Sequence, residues 1–482
     1  MNIAATRRAS SLDHAIAPIL PVLLVVVAVA CIAGFARAIA IAPLHVPLDP
    51  DEGWNAYHAA AAMAGHGLYP AASGLMVNNY PPLSFYLVGF LGELIGDGIV
   101  AGRIVSLLSF LCISGFVALA VRRMGDAWQA AAFAALFFAA VLLLTSDYVG
   151  MDDPQLLGHG LQLAALFLVL RETRMPRAML GAAALFVAGG FVKHNLFALP
   201  LASLIWLLLF DRPNALRLAT GIAVLSLLGL LTFRVFFGFD LLDRLASARS
   251  WSFAQAMDNF LVWLPVEAIP LGALAGLAIL RRNDRAVVIV AIYAAVALIT
   301  GIFLLGGAGV DVNALFDADI ALALGAGLAL GRLLQQRNPW LHISGRAFAL
   351  ACLLPLVVLV FEDRDWRDPA FWTHPMRNEA ALAAQDIAFL HAHSGPAICE
   401  NLAFCYWAAK RDPVDVFNFD QQLVARARDP APFLRLIDSH HFTVMELDEI
   451  TPFPLPPLVH TAMIRNYRVD HTDDEGVFYL PR

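Results

Sequence analysis

The chain has 482 residues, of which 60% are hydrophobic and 15% charged, and its mean hydropathy is +0.69. Soluble domains carry roughly a quarter charged residues, so the composition excludes an ordinary soluble enzyme. A net charge of −7 with no basic stripe argues against nucleic acid as a partner. Residues 362–482 hold 30 charged residues in 121 positions, and residues 1–361 hold the other 41. Two units follow: a membrane domain over 1–361 and a water-facing domain over 362–482.

Arg7, Arg8, an apolar stretch from Ile16 to Phe35 and Ala36-Arg37-Ala38 imitate a secretory signal. The stretch is longer than the ~7–15 residues of a signal core, which predicts an uncleaved first span. Apolar runs recur at least ten times before residue 362, each near the ~20 residues that cross a hydrocarbon core. Between them lie six basic clusters: Arg7/Arg8, Arg122/Arg123, Arg171/Arg174/Arg177, Arg212/Arg217, Arg281/Arg282/Arg285 and Arg332/Arg337/Arg346. The positive-inside bias puts all six, and the N-terminus, on the cytoplasmic side of a plasma (inner) membrane. Residues 39–102, 147–153, 193–195, 238–255, 306–313 and the C-terminal domain then face the periplasmic or extracellular side, and the spans number about eleven. Residues 81–96 look like a span, but a crossing there would turn the later basic clusters outward. They are expected to form a helix that lies along or dips into the outer leaflet, packed on protein or bordering a cavity.

The first outer loop carries Asp49-Pro50-Asp51-Glu52-Gly53-Trp54, then Tyr57, Gly67-Leu68-Tyr69-Pro70 and Asn79-Tyr80-Pro81-Pro82. Three carboxylates in four positions beside a span are costly unless they face water or a ligand. A solvated loop start or a helix cap is the simpler account of Asp49, whereas Asp51 and Glu52 are candidates for general-base chemistry. Asp147 and Asp152-Asp153-Pro154 form a second acidic cluster on the same side, able to position an acceptor or a metal; Asp153 before Pro154 also suits a helix start. The chain contains only two lysines, Lys193 and Lys410, against 30 arginines. Lys193, at an outer span end where the charge bias disfavours it, suits a phosphate oxygen.

These residues resemble the GT-C type integral-membrane glycosyltransferases, near the protein mannosyltransferase and aminoarabinose transferase branch that uses polyprenyl-phosphate sugars. The resemblance rests on Asp51-Glu52 with Tyr57, Gly67-Leu68-Tyr69-Pro70, Tyr80-Pro81-Pro82-Leu83, Gly102-Arg103-Ile104-Val105-Ser106, Asp152-Asp153-Pro154, Lys193 before Leu199-Pro200, and Gly309-Val310-Asp311-Val312-Asn313. It implies a GT-C fold and inverting transfer of a sugar from a lipid phosphate on the outer face. Asp51, with Glu52 beside it, would deprotonate the acceptor. Asp152 or Asp153 would bind acceptor or a divalent cation such as Mg2+ or Mn2+; no cofactor is certain. Lys193, His194 and Arg249 are the cations available for the donor phosphate, and Trp54, Tyr57 and Tyr80 offer aromatic faces to sugar or lipid. The aminoarabinose transferase pattern has a basic residue soon after its Asp-Glu pair, where this chain has Gly53-Trp54-Asn55. Sugar and acceptor (lipid, polysaccharide or protein) therefore stay open.

In the last 120 residues, helical spacing over 376–393 and 430–441 and short apolar segments at Ala397–Cys399 and Phe442–Met445 predict a small α/β domain. Cys399 and Cys405 are placed to pair if that domain faces an oxidising compartment. Cys31, Cys112 and Cys352 read as membrane packing residues, and His391, His393, His440 and His441 as surface histidines rather than metal ligands. A transporter or flippase of lipid-linked sugars is the rival reading. Transporters place charge near the bilayer midplane and repeat their halves; here the acidic clusters lie at span ends and no repeat is visible.

Overall fold

The computed structural model describes residues 18–71, 74–171, 176–239, 241–245, 249–335, 345–362, 369–447 and 455–482. Arg7, Arg8, Arg174 and Arg337 of the basic clusters lie outside the described residues. Helix α1 (Ile19–Ile41) runs unbroken through Ala36-Arg37-Ala38. Its Val22, Val25, Val29 and Ile32 have no protein cover, so they form a lipid-facing stripe.

The chain continues as α2 (Asp51–Ala64), α3 (Leu83–Ile95), α4 (Gly98–Arg123), α5 (Trp128–Thr145), α6 (Gln155–Val169), α7 (Pro176–Val192), α8 (Ala198–Phe210) and α9 (Arg212–Phe237). After these come α10 (Phe253–Leu280), α11 (Arg285–Leu305), α12 (Phe316–Gln335) and α13 (Gly345–Glu362). Among the described residues, eight helices are long and apolar enough to cross a membrane, and α3, α6, α7 and α8 are shorter apolar helices. Helix α12 is buried along almost its whole length. Its alternation of Ala, Gly and Leu lets α4, α5, α10, α11 and α13 pack closely around it.

The two ends of this bundle differ in charge. At one end Arg332 bridges Asp126 (2.6 Å) and Asp284 (2.9 Å), and Arg123, Leu170, Asp211, Asp284 and Arg285 line one shared cavity. The predicted basic loops thus do share a face. The acidic loops gather at the opposite end, where the C-terminal domain sits. Helix α3 begins and ends at that same end: Tyr80, just before it, lies under Lys193, and Asp97, just after it, accepts a hydrogen bond from Trp407 Nε1 (3.0 Å). This is the non-crossing helix expected over 81–96. With it set aside, the eight long spans and α6, α7 and α8 restore the odd count.

The C-terminal domain comprises α14 (Arg377–Ala392), β1 (Ala397–Cys399), α15 (Leu402–Trp407), α16 (Val416–Val424), α17 (Ala431–Asp438), β2 (Val444–Leu447), α18 (Pro457–Asn466), β3 (Tyr467–Thr472) and β4 (Val477–Pro481). The sheet order is β1-β2-β4-β3, with β1 and β2 parallel and the other pairs antiparallel. A parallel pair needs a long crossover, which α15, α16 and α17 provide. Cys399 and Cys405 form a disulfide that ties the end of β1 to α15. Cys31 and Cys352 are buried between helices, but Cys112 faces outward, so only two of the three act as packing residues.

The domain is wedged onto α2. A Cβ on Gly53 would come within 2.1 Å of the Leu402 and Ala403 backbone, a contact that only glycine permits. The same docking consumes two aromatics expected to meet sugar or lipid. Trp54 Nε1 donates to Val77 O (3.0 Å) and to Asp415 Oδ2 (3.1 Å). The Tyr57 hydroxyl donates to Lys410 O (2.9 Å), and its ring meets Tyr406 edge-on.

Candidate active site

The carboxylates of the two acidic clusters have different surroundings. Glu52 is fully buried in a bidentate pair with Arg103: Nε donates to Oε1 at 2.7 Å and Nη2 to Oε2 at 2.6 Å. Its remaining capacity goes to the backbone N–H groups of Leu48 (2.9 Å) and Asp152 (3.0 Å). Arg103 also donates to Leu44 O (2.8 Å) and Val46 O (2.6 Å). Glu52 is thus a clamp that ties α1, α2, α4 and the second acidic loop together. With Arg103, Leu48 and Asp152 donating to both of its oxygens, Glu52 offers no free oxygen to an acceptor hydroxyl, which leaves Asp51 as the open carboxylate of the pair.

Asp152 packs behind the same clamp. Its peptide oxygen accepts Asn55 Nδ2 (2.8 Å), and a Cβ on Gly102 would fall 1.7 Å from its Oδ1. Burial, then the neighbouring Glu52 and Asp153 charges, push its carboxyl well above the usual range. Asp153 points elsewhere: Oδ1 accepts the Gln155 N–H (2.6 Å), starting α6, and both oxygens face Lys193 Nζ at 3.3 and 3.5 Å. The pair does not converge on one point, and the Lys193 ammonium stands where a metal ion beside Asp153 would be. The donor set expected for a divalent cation therefore does not fit one.

Asp51 opens α2 and is exposed. Asp49 caps the helix instead, its Oδ1 accepting the Asp51 N–H at 2.8 Å, which frees the Asp51 carboxylate. The protein massed around it, then the Asp153 charge, raise its pKa; Lys193 and Arg249 pull it down, and Asp311 adds to the rise. Asp49 itself is pushed up to about 7 by burial and by Asp51. Asp49, Asp147, Glu267 and Asp311 line an adjoining cavity of about 470 Å³.

Lys193 is buried with its ammonium 5.1 Å from the Tyr80 ring centre. Burial alone would lower its pKa, but Asp153 and then Tyr80 reverse this and hold it at about 12. His194 is exposed beside Tyr80. The protein packed around its ring, then the Lys193 and Arg249 charges, lower its pKa to about 4. At neutral pH it offers a neutral imidazole, not the cation its position suggested. Arg249 donates to Ala308 O and Asn418 Oδ1 (both 3.3 Å) and lies over Phe417, while its buried Nε has no hydrogen-bond partner. Asp51, Lys193 and Arg249 thus form one cluster, with Tyr80 on its floor.

An apolar groove of about 590 Å³ runs between α3, α7 and α9, lined by Pro82, two residues after Tyr80, and by Tyr86, Phe191, Phe233, Phe236 and Phe237. The family model for dolichyl-phosphate-mannose-protein mannosyltransferases matches residues 79–239, a third of the chain that holds Tyr80, Asp152, Asp153, Lys193 and this groove. A comparison with curated proteins finds no match. Among solved structures, ArnT from Cupriavidus metallidurans in the apo state aligns over 96% of this chain and 98% of its own, with a TM-score of 0.61 at 16% identity. The same protein bound to undecaprenyl phosphate gives 0.60 at 16% identity over 95% and 97%. Archaeal oligosaccharyltransferase AglB from Archaeoglobus fulgidus, in complex with an inhibitory peptide and a dolichol-phosphate, gives 0.53 at 13% identity over 88% and 69%. The fold is that of the GT-C glycosyltransferases.

Within that GT-C frame, several participants were not assigned from sequence. Arg103 and Gly102 stood in a quoted motif without a role. Glu267 lies mid-span in α10, fully buried and with both oxygens unpartnered. The two acidic clusters lie at span ends as expected, but Glu267 is a carboxylate inside a span that the sequence reading did not note. Its signal was a lone carboxylate among Trp263, Leu264, Val266 and Ile269.

Proposed function

We propose that the chain is a membrane glycosyltransferase that takes a sugar from a polyprenyl-phosphate donor, with inversion at the anomeric carbon. The observation that carries this reading is the apolar groove lined by Pro82, two residues after Tyr80, whose ring lies 5.1 Å from the ammonium of the buried Lys193. A polyprenyl tail in that groove brings its phosphate to Lys193, Arg249 and the neutral His194. Two cations held in place before the reaction stabilise the charge that develops on the leaving phosphate. Both the ArnT and AglB comparison structures carry such lipid phosphates by name.

The acceptor approaches from the carboxylate-lined cavity, with its hydroxyl toward Asp51. Asp51 takes the hydroxyl proton, the acceptor oxygen attacks the anomeric carbon, and the bond from that carbon to phosphate oxygen breaks, releasing polyprenyl phosphate. Asp153 positions Lys193, and Glu52 with Arg103 positions Asp51; Asp152 supports that clamp. Asp147 and Asp311 disfavour an anionic acceptor, so a neutral or amine-bearing acceptor fits best. The disulfide and the basic opposite end support an orientation with the site outside the cytoplasm.

Purified protein incubated with a labelled polyprenyl-phosphate sugar and extracted envelope acceptors tests this reading. It predicts a new labelled glycoside together with free polyprenyl phosphate. Binding or movement of the donor with no new glycosidic bond would favour the transporter reading.

A further inference from the structure

A second group of titratable side chains lies on the C-terminal domain, away from the GT-C cluster. It joins α14 to the β3–β4 hairpin. A carboxylate oxygen of Asp386, a ring nitrogen of His471 and a carboxylate oxygen of Asp473 lie within 4.8 Å of one another. Asp386 is 2% exposed and its carboxyl faces that of Asp473 within hydrogen-bonding reach, while among the described residues no N–H or O–H donor reaches its Oδ2. Two carboxyl groups that face each other with one of them buried must hold a proton or a cation between them.

The histidine is held in a matching way. Asp470 Oδ2 lies 3.1 Å from His471 Nδ1, and Nε2 faces Asp473 Oδ2 at 3.9 Å. With the Nδ1 proton directed at Asp470, the Nε2 lone pair is turned to the gap between the two aspartates, the outer-shell arrangement common to metal-bound histidines. The ring stacks on Phe478 (4.5 Å between centres, planes 4° apart) and meets Phe389 edge-on. A register shift between Val469 and His471 interrupts the β3–β4 ladder just before it, an irregularity of the kind that re-aims side chains. One oxygen of Asp473 is spent on the turn, accepting the Glu475 and Gly476 N–H groups at 3.0 and 3.1 Å. The other remains for the gap.

We propose that Asp386, His471 and Asp473 form a site for a divalent metal ion, with Asp470 as the positioning residue. One imidazole and two carboxylates suit a borderline ion such as Zn2+ or Mn2+, at bonds of ~2.0–2.2 Å. The partial exposure of His471 and Asp473 (36% and 21%) gives the ion a route in and leaves room for water as a further ligand. Bound there, the ion pins α14 to the hairpin. The site does not depend on the proposed transferase activity.

The test uses the full chain in detergent, stripped with EDTA and titrated with Mn2+ by electron paramagnetic resonance, with Zn2+ as competitor. The wild type and the Asp51→Asn variant should each bind one equivalent that Asp386→Asn and His471→Gln lose or bind at least about tenfold more weakly. Asp470→Asn should weaken binding by about ten- to a hundredfold. A ligand variant that does not elute like the wild type is set aside, and the other decides. No saturable equivalent in the wild type, or undiminished binding in the folded ligand variants, overturns the proposal.

Discussion

Lys193 Nζ lies 3.3 Å from Asp153 Oδ2, with both side chains buried. The carboxylate favours the charged ammonium in a place where burial would otherwise disfavour it, as the proposed donor-phosphate role of Lys193 requires. Lys193→Met should lower donor affinity strongly and Lys193→Arg less, because Arg keeps the charge but alters its geometry. Equilibrium binding of labelled polyprenyl phosphate to the folded variants checks this; equal affinity for wild type and Lys193→Met would remove Lys193 from the donor site.

The Glu52–Arg103 pair is a stability element. Removing one partner of a buried pair typically costs ~3–5 kcal/mol, because the other charge is stranded. Arg103→Met should therefore lower the thermal unfolding midpoint more than the double variant Arg103→Met/Glu52→Gln. A single variant as stable as the wild type would mean that water already reaches the pair.

Much of this arrangement was legible from sequence because its causes are local. Span lengths, the basic loops and the Lys193 exception are one-dimensional signals, and they led to the odd span count and the non-crossing α3. Asp51 stood out because carboxylates beside a span need a reason. What was not legible depends on tertiary partners. Trp54 and Tyr57 look like sugar-stacking residues until the C-terminal domain is seen to take their polar atoms. Glu52 and Asp51 are neighbours in sequence, and only the position of Arg103, 51 residues on, separates their roles. In the C-terminal domain, Tyr467–Thr472 has just one fully buried residue, so β3 lacks the alternation that would announce a strand.

The pH dependence follows from the raised Asp51 carboxyl. A base must be deprotonated, so the acidic limb of kcat/KM should lie above the ordinary carboxylate range, with rate rising as pH rises through it. Asp311 is one of the charges that raise Asp51. Asp311→Asn should therefore move the limb to lower pH, whereas Lys193→Met, which removes a charge that lowers Asp51, should move it higher. Shifts in the opposite directions in pH–rate profiles would contradict the assignment.

The orientation predicts a labelling pattern. With Cys112 replaced by Ser, His66→Cys and Ser439→Cys should react with an impermeant maleimide from outside the membrane, and Arg281→Cys should react only after permeabilisation. Reaction of His66→Cys and Ser439→Cys from opposite sides would break the odd-span topology.

The central claim is that Asp51 takes the acceptor proton. Because Asp49 caps α2 through its own side chain, Asp51→Asn leaves the helix start intact and tests chemistry rather than folding. Positioned base catalysis typically contributes about a hundred- to ten-thousandfold. The decisive measurement is single-turnover sugar transfer by Asp51→Asn at saturating donor, with donor affinity measured on the same preparation. The account predicts unchanged donor binding and transfer slowed by about a hundredfold or more; wild-type transfer by the folded variant would contradict it.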